Sequence, residues 1–162
     1  MTKVLFVCLG NICRSPTADG IFRELVAREK LDRIITVDSA GTSDWHIGKK
    51  PDVRTIAAAK KRGYDLSILR ARQVRADDFE EFDYILAMDN NNLQDLQKLK
   101  PRDYDGHLGL FLDFSSHKKY REVPDPYCGG DAGFELVLDL VENAAEGLLS
   151  HIRQHIKSSV PV

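Results

Sequence analysis

The sequence is poor in the residues that build covalent or membrane frameworks. Its 162 residues include three cysteines, two methionines and one tryptophan. Three cysteines do not make the disulfide scaffold of a small secreted domain, so reduced thiols are expected. No apolar run approaches the roughly 20 residues needed to cross a bilayer. The first apolar segment is a short strand-like run, Val4-Leu5-Phe6-Val7, with no signal-peptide pattern before it. Neither sign of charge dominates: Lys and Arg total 23 against 25 for Asp and Glu, a formal net charge of −2. That balance excludes a protein devoted to coating nucleic acid or anionic lipid. Internal repeats, low-complexity linkers and composition breaks are also lacking, so residues 1–162 read as one domain. A 43 % hydrophobic fraction suffices for a core and is too high for a disordered chain. A cytoplasmic monomer with no nucleic-acid or membrane partner is the expectation.

The segments that are present alternate strand with helix. Lys3–Val7 is a continuous apolar run, as a strand buried on both faces should be. From Pro16 to about Glu29, residues Ala18, Ile21, Phe22, Leu25 and Val26 share one helical face, with Ser15 at the expected cap and Pro16 at the first helical position. Ile34–Val37 predicts a second strand, and Arg54–Arg62 a helix closed by Gly63. Tyr84–Met88 predicts a third strand, after which Asp89 caps a helix carrying Leu93 and Leu96 that Pro101 limits. His107–Leu112 predicts a fourth strand, and about Gly133–Ile156 a long final helix with a core-packing stripe. This alternation implies an α/β fold: a parallel sheet, right-handed crossovers and helices on both faces. Ligands of such folds bind beyond the carboxyl ends of the strands, here the loops at 8–15, 39–50, 88–92 and 113–131.

The first of these loops carries the clearest chemistry. Cys8-Leu9-Gly10-Asn11-Ile12-Cys13-Arg14-Ser15-Pro16 joins a buried strand to a helix N-terminus, whose N–H groups and partial positive charge suit an anion. Gly10 and Asn11 tolerate unusual backbone angles, so consecutive N–H groups can turn inward as a nest. A Cys8 thiol at the mouth of that nest, near Arg14, is expected to have a lowered pKa. Arg14 can hold two oxygens of a tetrahedral anion in a bidentate fork. With 12 arginines in the chain, one of three cysteines gains an Arg six places on roughly one time in five by chance. Specificity therefore comes from the context of strand, Gly-Asn, Arg-Ser-Pro and helix. A thiolate displacing an alkoxide or phenolate also benefits from an acid, and Asp125-Pro126-Tyr127 lies on the expected ligand side.

The loop resembles the signature of the low-molecular-weight protein tyrosine phosphatases. The resemblance continues through Asp38-Ser39-Ala40-Gly41-Thr42, Trp45-His46-Ile47-Gly48, Pro51-Asp52, Ala71-Arg72-Gln73, Met88-Asp89 and Asp125-Pro126-Tyr127, in order over essentially the whole chain. It implies a three-layer fold with a central four-stranded parallel sheet, of the phosphotyrosine protein phosphatase I type. It also implies phosphotyrosine-bearing protein substrates, no cofactor and no metal. By resemblance, Cys8 attacks phosphorus to give a cysteinyl-phosphate, Arg14 and the loop from Leu9 to Ser15 bind the phosphoryl group, and Asp125 is general acid and then base. Asn11, Ser15 and Ser39 match positions of a network bracing the loop, with Ser15 also placed to stabilise the Cys8 thiolate. Where the family commonly has a His this chain has Leu69, so that network is either shortened or closed by water.

Trp45 and Tyr127 match the aromatic walls of the family's cleft, where a phenyl ring could be sandwiched. Relatives acting on phosphoarginine have a smaller Thr resembling Ile12, so Ile12 points towards phosphotyrosine, with phosphoarginine as the alternative. Thiol-dependent arsenate reduction is a further alternative, weakened because no cysteine lies between Cys13 and Cys128 to relay a disulfide. Cys13 is either a redox guard that traps oxidised Cys8 as a disulfide or a thiol packed under the loop. Cys128 reads as a bystander at the cleft rim. Lys118, Lys119 and Arg121 read as a solvated charge run.

Overall fold

The computed structural model of the chain describes residues 1–126 and 130–159, the side chains of 157–159 excepted. Strand β1 (Thr2–Cys8) lies inside the sheet, and Val4, Leu5, Phe6 and Val7 are fully buried. Successive strand side chains point to opposite faces, so Val4, Phe6 and Cys8 enter one core cluster while Leu5 and Val7 enter the other. The remaining strands are β2 (Ile35–Gly41), β3 (Tyr84–Ala87) and β4 (His107–Leu110). All pairings are parallel, in the order β2-β1-β3-β4. The chain thus leaves β1 towards one edge and returns to its other side for β3. The topological switch point falls between the carboxyl ends of β1 and β3, where α/β folds open a crevice.

Helices α1 (Arg14–Arg28) and α5 (Gly130–Ser159) pack together on one face, with α2 (Val53–Lys61) against α5. In that layer Phe6 meets the rings of Phe22 and Phe111 edge-on at centroid distances of 5.7 and 4.9 Å. The short α3 (Asp78–Glu81) and α4 (Asn90–Leu99) cover the opposite face through Phe79 and Leu96. The arrangement is the expected three-layer α/β fold with a four-stranded parallel sheet. Asp89 caps α4 by accepting the Asn92 N–H at 2.8 Å, and Gly63, at φ +92°, ends α2 in the left-handed region.

Several boundaries differ from expectation. The fourth strand stops at Leu110, because Phe111–Phe114 turns into a 3-10 helix that drives Phe111 into the core. The final helix begins at Gly130 rather than Gly133. Helix α1 starts at Arg14, so Ser15 is not its cap and Pro16 is its third residue; the capping position is Cys13, without a side-chain bond. The Ser15 hydroxyl is engaged elsewhere. No helix among the described residues is long and apolar enough to cross a membrane.

Candidate active site

The loop after β1 is fixed first by its carbonyls. Cys8 C=O accepts from Thr42 N–H at 2.9 Å, Leu9 C=O from Ser43 N–H at 2.9 Å, and Ile12 C=O from Asp52 N–H at 2.8 Å. The N–H of a trans peptide points opposite to its C=O. Tying these three carbonyls to the loop after β2 and to the start of α2 therefore turns the N–H groups of Leu9, Gly10 and Cys13 away from those partners. The backbone turns at Asn11, which holds φ +56°, a value that Asn adopts more readily than most side chains. Gly10 does not have positive φ, contrary to the reading of the loop as two unusual residues. Its lack of a side chain matters because a Cβ would approach the His46 ring at 3.0 Å.

Beneath the loop lies a glycine that the sequence did not single out for this role. Gly41 is paired in register with Cys8, and a Cβ on it would stand 2.7 Å from Leu9 O and 3.1 Å from Asn11 N. Only a residue without a side chain lets the end of β2 support the loop this closely.

The Cys8 sulfur is buried at the base of the loop. It accepts the Asn11 N–H at 3.2 Å and lies 3.0 Å from the Ser15 hydroxyl. Asn11 donates its amide to Ser15 Oγ at 2.8 Å and accepts the Arg72 N–H on Oδ1 at 3.0 Å. A main-chain N–H thus completes the network around Asn11, while Leu69 packs against the core. The Ser39 hydroxyl donates to Asp19 Oδ2 at 2.9 Å rather than to Asn11 or Ser15, and it braces α1 from β2. Asp19 is buried and also receives Arg23. Burial raises its carboxyl above the usual carboxylate range, against the lowering pull of Arg23 and Ser39.

Arg14 comes from the first turn of α1. Its Nη1 donates to Asp89 Oδ2 at 2.7 Å and to Val123 C=O at 3.0 Å. Val123 in turn donates its N–H to Met88 C=O at 2.8 Å, so the segment leading to Asp125 is docked on the carboxyl end of β3. Asp89 was read only as a helix cap. Its place directly after β3, beside the switch point, was the available signal for a second role.

These elements enclose a pocket of about 130 Å³ lined by Cys8, Leu9, Gly10, Ile12, Cys13, Arg14, Trp45, His46, Asp125 and Pro126. The structure therefore brings together, from three separate loops, most of the residues singled out in the sequence. Asn11 and Ser15 sit behind this wall as its supports, and Trp45 stands largely exposed at the mouth. Cys8 and Cys13 are both buried. Tyr127 and Cys128 lie outside the described residues.

A sequence model described as low molecular weight phosphotyrosine protein phosphatase matches residues 3–158. The chain belongs to that family. It is 42 % identical over 154 residues to the Bacillus subtilis low molecular weight protein-tyrosine-phosphatase YfkJ, covering 95 % of this chain and 97 % of the relative. A chicken low molecular weight phosphotyrosine protein phosphatase is 44 % identical over 139 residues, covering 85 % and 87 %. Among solved structures, a protein tyrosine phosphatase of Entamoeba histolytica with Hepes in its active site superposes with a TM-score of 0.91 at 41 % identity, covering 96 % of this chain and 99 % of that one. A Drosophila arginine phosphatase superposes at 0.87 with 34 % identity, covering 93 % and 98 %.

Proposed function

We propose that this phosphatase hydrolyses phosphotyrosine in proteins through a cysteinyl-phosphate on Cys8, without a metal. The reading is carried by one observation: the buried Cys8 sulfur, held by the Asn11 N–H and the Ser15 hydroxyl, shares its pocket with Arg14 and Asp125. In the first step the sulfur attacks phosphorus, the bond from phosphorus to the phenolic oxygen breaks, and Asp125 gives its proton to that oxygen. In the second, water attacks phosphorus, Asp125 takes the water proton, and the sulfur leaves with its electron pair towards the Ser15 hydroxyl. Charge on the equatorial oxygens is met by the loop N–H groups and Arg14, which Asp89 orients before substrate arrives. Cys13 lines the same pocket. If Cys8 is oxidised to a sulfenic acid, the Cys13 thiol can condense with it to a disulfide and water.

The exposed ring of Trp45 at the mouth and the depth of the sulfur favour a flat, long substrate group over phosphoserine. Phosphoarginine is the second reading, because one structural neighbour is an arginine phosphatase. The branched Ile12 side chain in the pocket lining weighs against it. The test is turnover of phosphotyrosine, phosphoarginine and phosphoserine peptides, with chelator present, by the wild-type protein and Cys8→Ser. Phosphotyrosine should be preferred and Cys8→Ser inert; preference for phosphoarginine would overturn the substrate reading. Asp125→Ala should lose most activity on phenyl phosphates with poor leaving groups, and an equal loss across leaving groups would count against its role as acid.

A further inference from the structure

Arg72 lies 61 residues from Asn11 in sequence, outside the pocket, and its guanidinium is anchored by two carboxylates. We propose that it is a positioning residue of the reaction, setting the Cys8 sulfur through its own main chain and the Asn11 amide; this rests on the phosphatase reading above. Its guanidinium forms a fork with the buried Asp78, Nη1 to Oδ2 and Nη2 to Oδ1, each at 3.1 Å. The third side, Nε, donates to Asp38 Oδ2 at 3.1 Å. Asp78 opens α3 on one side and Asp38 belongs to β2 on the other, so the fork bridges two fixed elements. Such planar, charge-assisted contacts define orientation more sharply than a lysine would.

What the fork holds still is a stretch of chain with little structure of its own. Residues 69–72 lie outside helices and strands, and Gln73 joins Gly41 in an isolated bridge. Arg72 C=O accepts the Gly41 N–H at 2.8 Å, under the loop, and Arg72 N–H donates to Asn11 Oδ1 at 3.0 Å. That second bond has a consequence for proton order. A main-chain N–H can only donate, so Asn11 presents its oxygen there and its NH₂ to Ser15 Oγ at 2.8 Å. Having accepted that bond, the Ser15 hydroxyl directs its proton to an acceptor. The Cys8 sulfur at 3.0 Å is nearer than Ala40 C=O at 3.4 Å. The direction of the whole chain, from residue 72 to Asn11 to Ser15 to sulfur, is thereby set at the main-chain N–H of Arg72.

The test is a double-mutant cycle on Arg72→Met and Asn11→Gly, the glycine removing the amide while keeping the positive φ accessible. The readouts are kcat and KM for p-nitrophenyl phosphate and the rate of Cys8 alkylation at pH 7, taken well below each variant's melting temperature. A displaced sulfur should lower kcat and alkylation about tenfold in each single variant while KM moves by less than about threefold. The double variant should be no worse than the weaker single one. Asp38→Asn, at a half-exposed carboxylate, should move kcat in the same direction by less, and it serves in the cycle if Arg72→Met does not fold. Arg72→Lys should restore part of the loss. Wild-type kcat in a folded Arg72→Met, or losses that multiply in the double variant, would overturn the proposal. Failure of the underlying phosphatase reading looks different, because Cys8→Ser would then keep its activity in an otherwise wild-type background.

Discussion

Replacing Gly41 by alanine tests whether β2 sets the position of the phosphate loop. The new Cβ would lie 2.7 Å from Leu9 O, so restoring an ordinary contact requires a displacement of about 0.7 Å at the loop backbone. Gly41 itself has no room to yield. Its N–H is bound to Arg72 C=O and its C=O to Val74 N–H, each at 2.8 Å, and it is in register with Cys8 across the sheet. The loop must therefore move, and Leu9, Gly10 and Asn11 move with it. Overpacking of this kind costs about 1–3 kcal/mol of stability. Misplacement of reacting groups by about 1 Å can cost on the order of a hundredfold in rate, so a loss of roughly tenfold or more in kcat is expected. The assay is steady-state hydrolysis of p-nitrophenyl phosphate beside a thermal melt, so that activity is read from folded protein. A folded Gly41→Ala enzyme with kcat within about twofold of wild type would refute the claim that this close approach fixes the catalytic geometry.

The contact between Arg14 and Asp89 should be separable from helix capping, because Asn caps α4 as well as Asp does. Asp89→Asn should leave the melting temperature nearly unchanged while lowering kcat about tenfold, in line with about 1.5–3 kcal/mol for a hydrogen bond to a charged group. A lower melting temperature with intact kcat would contradict the orienting role. At the opposite end of the sheet, His151 faces Tyr84, His107, Phe114 and His155, with Asp83 and Asp105 lining the same recess. Burial lowers the pKa of both His107 and His151, with the neighbouring histidines adding to the shift at His151 and Asp113 opposing it at His107. The unfolded chain then binds protons at these sites before the folded one does, so stability should fall as pH drops below about 6.5. His151→Phe should flatten that slope in urea titrations between about pH 5 and 7; an unchanged slope would remove these histidines from the account.

What the sequence made legible was contiguous. Val4–Val7 announced a strand buried on both faces, and the nine residues from Cys8 to Pro16 carried strand end, turn, cation and helix start in one stretch. Pairings between distant residues left no such trace. Arg14 and Asp89 meet only because β1 and β3 are neighbours in the sheet, and the capping role of Asp89 already accounted for its identity. Gly41 reads as an ordinary strand-end glycine until Leu9 and Asn11 are seen above it. Ser15 was misread as a cap because Ser-Pro before an apolar run satisfies the local rule. The Ser15 hydroxyl lies beside the Cys8 sulfur instead, and the helix begins two residues earlier than that rule places it, at Arg14. Helix α3 is a single turn, too short for periodicity to register, yet it supplies Asp78 to Arg72.

The central claim is that phosphorus passes through Cys8. The most direct measurement is mass spectrometry of Asp125→Ala, acid-quenched during turnover of a phenyl phosphate with a good leaving group. That variant keeps the proposed nucleophile and lacks the proposed base. A single phosphoryl group on the peptide containing Cys8, absent from Cys8→Ser treated in the same way, is the predicted result. Continued turnover by Cys8→Ser, or a phosphoryl group on any other residue of the active enzyme, would contradict it.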